Sequence, residues 1–265
     1  MSRSSFAALV LAGLLAQTAA AQAPSGLPPA LRQVGIDQKL DARLPLDVAF
    51  ADERGAEVRL GDYFGRRPVV LALVYYDCPM LCTLVLNGLV KSLRALKLDA
   101  GADFEVVVCS IDPGERPPLA ARKREMYVRT YARPASAAGW HFLTGNAESI
   151  ARLADAVGFR YTYDPATRQF AHASGIMVAT PDGRLARYLY GIEYSARDLR
   201  LALVEASAGK IGTRADQVLL YCFHYDPKTG KYGVVIMNVI RLLGSATALA
   251  LAGLVVALMR RERSG

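Results

Sequence analysis

The chain contains few side chains that bind soft metals or form disulfides. It has four cysteines and three histidines among 265 residues. No internal repeat is evident, which excludes a repeat architecture. Charged residues make up only 21% of the chain and hydrophobic residues 52%, a balance typical of a globular and not a disordered protein. Long charge-free runs are confined to the two ends.

The first 21 residues have the pattern of a secretory signal peptide. Arg3 precedes an apolar run from Phe6 to Ala16, and Ala19–Ala21 supply the small residues of a cleavage site. We expect residues 1–21 to be removed; the alternative is an uncleaved anchor, although so short a segment spans a bilayer poorly. A linker rich in proline and glycine is expected over residues 22–43.

The C-terminal end has the composition of a transmembrane helix. Residues 239–259 are almost uncharged and nearly reach the roughly 20 apolar residues that cross a bilayer. The basic tail, residues 260–265, would lie in the cytoplasm by the positive-inside rule. A buried C-terminal helix is the alternative, but this run has no polar face. The two ends predict a domain on the periplasmic side of a bacterial-type inner membrane, followed by an extension over residues 209–238.

A net charge of +8 can indicate a protein that binds nucleic acid. Export excludes that partner, so we expect none. The densest basic cluster is interleaved with Glu125 on a predicted helix and indicates a solvated helix face, with docking to an acidic partner as the alternative. Its members are Arg116, Arg122, Lys123, Arg124, Arg129 and Arg133.

Between the two ends, strand and helix patterns alternate. Continuous β-rich apolar runs predict buried strands, and apolar residues at helical spacing predict the helices. The predicted strands are residues 68–76, 104–111 and 140–143. The predicted helices are residues 81–98 and, approximately, 118–131, 146–157 and 195–208. Residues 175–179 and 185–190 are predicted to form a hairpin. This order predicts an α/β domain with a mixed sheet.

Two cysteines stand where the first buried strand turns into a helix. Cys78 lies at or before the helix start and Cys82 one turn further, so both sulfurs can converge at a helix N-terminus, which stabilises thiolates. Converging thiolates can exchange disulfides or hold a soft ion such as Cu(I). Redox thioredoxins have two intervening residues and this pair has three. The spacing therefore favours a metal, while a redox disulfide between Cys78 and Cys82 stays sterically possible.

Among the histidines, His172 is placed best for a site. It lies in a polar, small-residue segment just before the predicted hairpin, and loops at strand ends are where sites are assembled. A surface-loop histidine is the alternative. His141 is expected to be packed in the structure, Cys109 to be a small buried hydrophobe and Asp112 to cap a turn.

Three separated motifs resemble the Sco/SenC family. They are Tyr75 to Cys82, Cys109 to Pro113, and His172 to Gly183. The resemblance covers roughly residues 44–208 and implies a thioredoxin-like domain. It also implies that Cys78, Cys82 and His172 are the ligands of copper, as Cu(I) or Cu(II).

The same resemblance implies a role in assembling the binuclear copper centre of cytochrome c oxidase. The expected partners are the copper-binding subunit of that oxidase and other periplasmic copper chaperones. Family members often have proline after the second cysteine and an acidic residue before the histidine, where this chain has Thr83 and Ala171.

Two functions from different classes are open at this point. The first is a copper metallochaperone, which is not an enzyme in the turnover sense. The second is a thiol–disulfide oxidoreductase that keeps the copper-binding cysteines of the oxidase reduced. A metal ligand at His172 is indispensable to the first function and unnecessary to the second.

A second cysteine–histidine pair lies beyond the predicted domain. Cys222 and His224 are two residues apart in a strand-like alternation, so they would project from the same face. They could form half of a second copper site. A packing strand that ends in a turn at residues 226–230 is the alternative.

Overall fold

The structure is a computed structural model that describes residues 33–78, 81–165 and 167–212, and beyond them residues 225–226, 231–232, 241–242, 244–249, 251 and 253. The side chains of Leu81 and Cys82 are not among those described. Most contacts between residues fall within one of two compact units, residues 1–211 and residues 212–265. The expected signal peptide lies outside the described residues, as do Cys222 and His224.

Twelve strands and four α-helices have bounds within the described residues, and the described residues from 241 to 253 are helical as well. The strands are β1 (Gly35–Ile36), β2 (Ala49–Ala51), β3 (Glu57–Arg59), β4 (Val69–Val74), β5 (Glu105–Ser110), β6 (Trp140–Leu143), β7 (Phe159–Asp164), β8 (Gln169–His172), β9 (Gly175–Ala179), β10 (Leu185–Tyr190), β11 (Tyr225–Asp226) and β12 (Lys231–Tyr232). The helices are α1 (Leu81–Arg94), α2 (Pro117–Tyr131), α3 (Ala147–Ala156) and α4 (Ala196–Ser207). Short 3-10 turns occupy Leu60–Tyr63 and Pro134–Gly139.

A mixed five-stranded sheet in the order β10-β9-β4-β5-β6 forms the centre of the first unit. Strands β4, β5 and β6 are parallel, and β9 runs antiparallel to β4, with Leu71 paired to both Val107 and Met177. Every residue of β4 is buried, as expected for a central strand covered on both faces. The predicted α/β architecture with a mixed sheet is confirmed.

A second, antiparallel sheet in the order β1-β7-β8 was not predicted from the sequence. Its first strand lies inside the segment expected to be a linker, residues 22–43. Asp41 N–H donates to Leu185 O (2.9 Å) and Leu185 N–H to Ala42 O (3.0 Å), so this segment also joins the edge of the central sheet. The ordered domain therefore begins before residue 44.

The expectation of a solvated basic face is wrong for two arginines of the cluster, Arg124 in α2 and Arg133 just after it. Arg124 Nε donates to Trp140 O (2.8 Å), and its Nη2 donates to Ala137 O (2.6 Å). The Arg133 guanidinium donates to Leu96 O (2.6 Å) and Leu98 O (2.8 Å). The planar guanidinium fork matches the free carbonyls at element ends, so these residues hold the helix to neighbouring loops.

The second unit is described only in part. Tyr225–Asp226 and Lys231–Tyr232 pair antiparallel around residues 227–230, where the sequence predicts a turn. Within the described residues, no helix combines the length and the apolar character needed to cross a membrane. Most of the predicted span, residues 239–259, lies outside the described residues.

The chain leaves β4 through a buried tyrosine that holds the end of the strand in place. Tyr76 is 2% exposed, and its hydroxyl lies 2.9 Å from Val108 O and 2.7 Å from Leu143 O. The single hydroxyl proton is shared between these carbonyls of β5 and β6, so one side chain ties the segment after β4 to both strands.

We expect Tyr76→Phe to lower the free energy of unfolding by about 1–3 kcal/mol, because buried carbonyls lose their donor. Chemical denaturation of the purified protein measures the change. Tyr163→Phe is the matched control, since Tyr163 is 49% exposed on β7 and its replacement should change stability little. Equal stabilities for the two variants would contradict the anchoring role of Tyr76.

Candidate metal site

The cysteine motif begins where β4 ends, at the carboxyl edge of the parallel strands. Cys78 follows the last residue of β4 by four positions and is buried, with 9% of its surface exposed. Ile111 N–H donates to Val74 O (2.7 Å), which fixes the end of β5 beside this edge. The cysteine is thus held at the rim of the sheet, where a bound ion can be reached from outside the core.

A buried carboxylate on the β5–α2 connection supports this segment. Glu115 Oε2 accepts from Tyr76 N–H (2.9 Å) and Ser110 Oγ (2.5 Å), and Glu115 Oε1 accepts from Asp77 N–H (2.7 Å). Burial raises the pKa of Glu115, an effect that the three donated hydrogen bonds oppose. The sequence analysis did not single out Glu115, because its partners Tyr76 and Asp77 lie 39 and 38 residues away in the chain.

His172 is a buried strand residue, which corrects the expectation of a polar loop. It ends β8, pairs with Tyr161 of β7 and is 7% exposed. Its ring packs edge-on against Tyr75, with 5.8 Å between the centroids, and lies 6.0 Å from the ring of Phe159. The aromatic surroundings position the imidazole and exclude water from it.

The hydrogen bond of His172 determines which ring nitrogen can bind a metal. Nδ1 lies 2.8 Å from Ala173 O, and since a carbonyl only accepts, Nδ1 carries the proton. In the neutral ring the lone pair is therefore on Nε2, the arrangement usual for metal-ligating histidines. Burial lowers the pKa of His172, which favours the neutral form that metal binding requires.

Tyr75 connects the two halves of the candidate site. Cys78 N–H donates to Tyr75 O (3.4 Å), and the Tyr75 ring contacts His172. The structure therefore places Cys78 and His172 around one tyrosine at one edge of the sheet. Cys82 lies in the first turn of α1, but its side chain is not described. Among the described side chains, no three of His, Cys, Asp or Glu form a metal cluster.

The remaining candidates have structural roles, as expected. Cys109 is 1% exposed, and burial raises the pKa of its thiol, so it stays protonated in the core. Asp112 Oδ1 caps the turn after β5 by accepting from Gly114 N–H (2.7 Å). His141 packs on Tyr63 with ring centroids 4.3 Å apart, and its Nε2 lies 3.1 Å from Glu105 Oε2 at the amino end of β5.

Comparison with models of known protein families shows to which family this chain belongs. The SCO1/SenC family model matches residues 38–206, more than half of the chain. The chain belongs to the SCO1/SenC family. BsSco, whose solved structure is 21% identical to this chain, is a member of the Sco family of cytochrome c oxidase assembly proteins. Comparison with curated protein sequences gives no match.

Solved structures agree with this assignment. A candidate electron-transfer protein of Aquifex aeolicus VF5 is 26% identical with a TM-score of 0.57, and the match covers 65% of this chain and 96% of that protein. A SCO1/SenC family lipoprotein of Bacillus anthracis is 16% identical with a TM-score of 0.53, covering 65% and 99%. The predicted thioredoxin-like fold is confirmed by its match to Sco structures.

Copper is present in solved structures of the family. The ScoI protein of Arabidopsis thaliana was crystallised with copper bound; it is 20% identical, with a TM-score of 0.49 and coverage of 61% of this chain and 96% of that protein. In the present chain the donor types fit copper. A cysteine sulfur and an imidazole nitrogen are soft and borderline donors, and the Nδ1 hydrogen bond of His172 puts the lone pair of the neutral ring on Nε2.

The tautomer and charge of His172 can be tested directly. In the metal-free folded protein we expect nitrogen NMR to show a proton on Nδ1 and a mostly neutral ring at pH 6.5, because burial lowers the pKa of this residue below its ordinary value. In the protein unfolded by urea, about half of the His172 rings should be charged at that pH. A charged ring in the folded protein would contradict the assigned geometry.

Proposed function

We propose that this protein is a copper metallochaperone that binds copper through Cys78, Cys82 and His172 and assists assembly of the binuclear copper centre of cytochrome c oxidase. Its membership of the SCO1/SenC family supports this role. The observation that carries the proposal is the hydrogen bond from His172 Nδ1 to Ala173 O, which prepares a neutral imidazole to bind a metal.

The three ligands suit copper in either oxidation state. Two thiolates and one imidazole match the three-coordinate preference of Cu(I), and an added oxygen donor would complete a site for Cu(II). Burial of Cys78 and His172 withdraws the ion from water and from competing ligands. Membership of the SCO1/SenC family supports delivery to the copper-binding subunit of the oxidase, with other periplasmic copper chaperones as further proposed partners.

The alternative, a thiol–disulfide oxidoreductase, uses only part of this arrangement. Exchange between Cys78 and Cys82 needs a thiolate and an accessible partner, but no oriented imidazole. The buried, hydrogen-bonded His172 is explained by metal binding and has no task in thiol exchange. Copper binding is therefore the function that accounts for more of the site.

His172→Ala should sharply weaken Cu(II) binding and change the thiolate-to-copper absorption, because the imidazole ligand is lost while both cysteines remain. Copper titration followed by absorption spectroscopy measures both effects, and the unaltered protein should take up one copper per chain. His141→Ala is the matched control, since His141 lies at the amino end of β5 beside Glu105. Unchanged affinity and spectra in His172→Ala would remove His172 from the site and favour the oxidoreductase.

The same titration tests the second pair. A second copper equivalent that disappears in a Cys222→Ser, His224→Ala variant, while the first is retained, would establish another site at these residues. Uptake of only one equivalent by the unaltered protein would leave Cys222 and His224 without a role in copper binding.

We further propose that the domain lies on the periplasmic side of the membrane, between a cleaved signal peptide and a span over residues 239–259. The apolar, almost uncharged run before Arg260 and Arg261 supports this topology. An alkaline phosphatase fusion at Asp226 should be active and a fusion after Gly265 inactive, because the enzyme folds only after export. The reverse pattern would contradict the proposed topology.

A further inference from the structure

Two backbone N–H groups in the segment that carries Cys78, those of Tyr76 and Asp77, lie beyond the end of β4 and have no partner in the sheet. β4 ends at Val74, and Tyr76 is 2% exposed, so its N–H cannot turn to water. A buried amide without an acceptor costs about 1–3 kcal/mol. The N–H groups of Tyr76 and Asp77 instead both donate to one side chain, Glu115.

The carboxylate of Glu115 is suited to this task by its shape. Its two oxygens divide the donors, with Oε1 accepting from Asp77 N–H (2.7 Å) and Oε2 from Tyr76 N–H (2.9 Å). Ser110 Oγ donates to the same oxygen as Tyr76 N–H, Oε2 (2.5 Å), and so helps to fix the carboxylate. Successive N–H groups facing one carboxylate also place their partial positive charges against its negative charge.

We propose that Glu115 is a positioning residue of the copper site, which fixes the direction in which Cys78 leaves the sheet. Glu115 does not touch the metal; it acts through the backbone at Tyr76 and Asp77, directly before Cys78. This inference rests on the proposed copper-binding function and adds to it a residue on a different connection, between β5 and α2.

Neither near-isosteric replacement can reproduce the arrangement. In Glu115→Gln one oxygen becomes an NH₂ group, which faces a donor and leaves one backbone N–H without an acceptor. In Glu115→Asp the charge is kept, but the side chain is one methylene shorter and cannot reach both N–H groups. The aspartate variant therefore separates positioning from the electrostatic effect of a nearby negative charge.

We expect both variants to bind Cu(I) about tenfold or more weakly than the unaltered protein, the usual size of effects transmitted through ligand-supporting hydrogen bonds. Competition with a chromophoric Cu(I) chelator measures the affinity. In the metal-free protein, the amides of Tyr76 and Asp77 should exchange with deuterium about tenfold or more faster in Glu115→Gln, because a charge-assisted hydrogen bond is lost.

Asp52→Asn is the matched control for a purely structural effect. Asp52 is 2% exposed and its Oδ1 accepts from Arg54 N–H (2.9 Å) and Ala56 N–H (2.8 Å) in the β2–β3 connection. This variant should lose stability but keep the copper affinity. If Glu115→Gln does not fold, Ser110→Ala takes its place, because it removes one donor from Glu115 and should cause a smaller fall in affinity.

The outcomes separate the two proposals. If the unaltered protein does not bind Cu(I), the proposed function fails. If it binds and the Glu115 variants, or Ser110→Ala in their place, bind equally well, the function stands and the positioning role of Glu115 is wrong. Unchanged amide exchange at Tyr76 and Asp77 would overturn that role as well.

Discussion

The backbone amides at the end of β4 need acceptors, and the way this need is met organises the site. The central strand is buried along its whole length, and Tyr75, Tyr76 and Cys78 beyond it are buried as well, while Asp77 between them is exposed. Water cannot satisfy the N–H of the buried Tyr76, so the protein supplies Glu115 from the next connection, which also accepts from the N–H of Asp77. The hydroxyl of Tyr76 joins the same segment to β5 and β6. These contacts determine the position of Cys78.

A second constraint comes from the aromatic side chains around the histidine. The small antiparallel sheet of β1, β7 and β8 carries His172 to the edge where β9 enters the central sheet. Tyr75 and Phe159 then enclose the ring, and the carbonyl of Ala173 selects its tautomer. Cysteine and histidine thus reach the site from distant parts of the chain, each oriented by its own supporting contacts.

The sequence predicts the central sheet well because buried parallel strands are continuous apolar runs, as in β4 and β5. It also selects Cys78 and His172 as candidate ligands, since their residue types and motifs carry chemical information, and their ligand role stays a prediction. It does not predict β7 and β8, although the alternation of aromatic and polar residues in β7 is the pattern of a half-buried strand, nor the strand position of His172. Glu115 has no local signal at all, because its role depends on amides 38 and 39 residues earlier in the chain.

The ligand set itself is the central claim, and X-ray absorption spectroscopy of the copper-loaded protein counts its members directly. The Cu(I) form should show two sulfur ligands and one imidazole, recognised by scattering from the outer atoms of the ring. In His172→Ala the imidazole scattering should disappear while both sulfurs remain. A spectrum with sulfur ligands alone in the unaltered protein, or an imidazole that persists in His172→Ala, would contradict a site built from Cys78, Cys82 and His172.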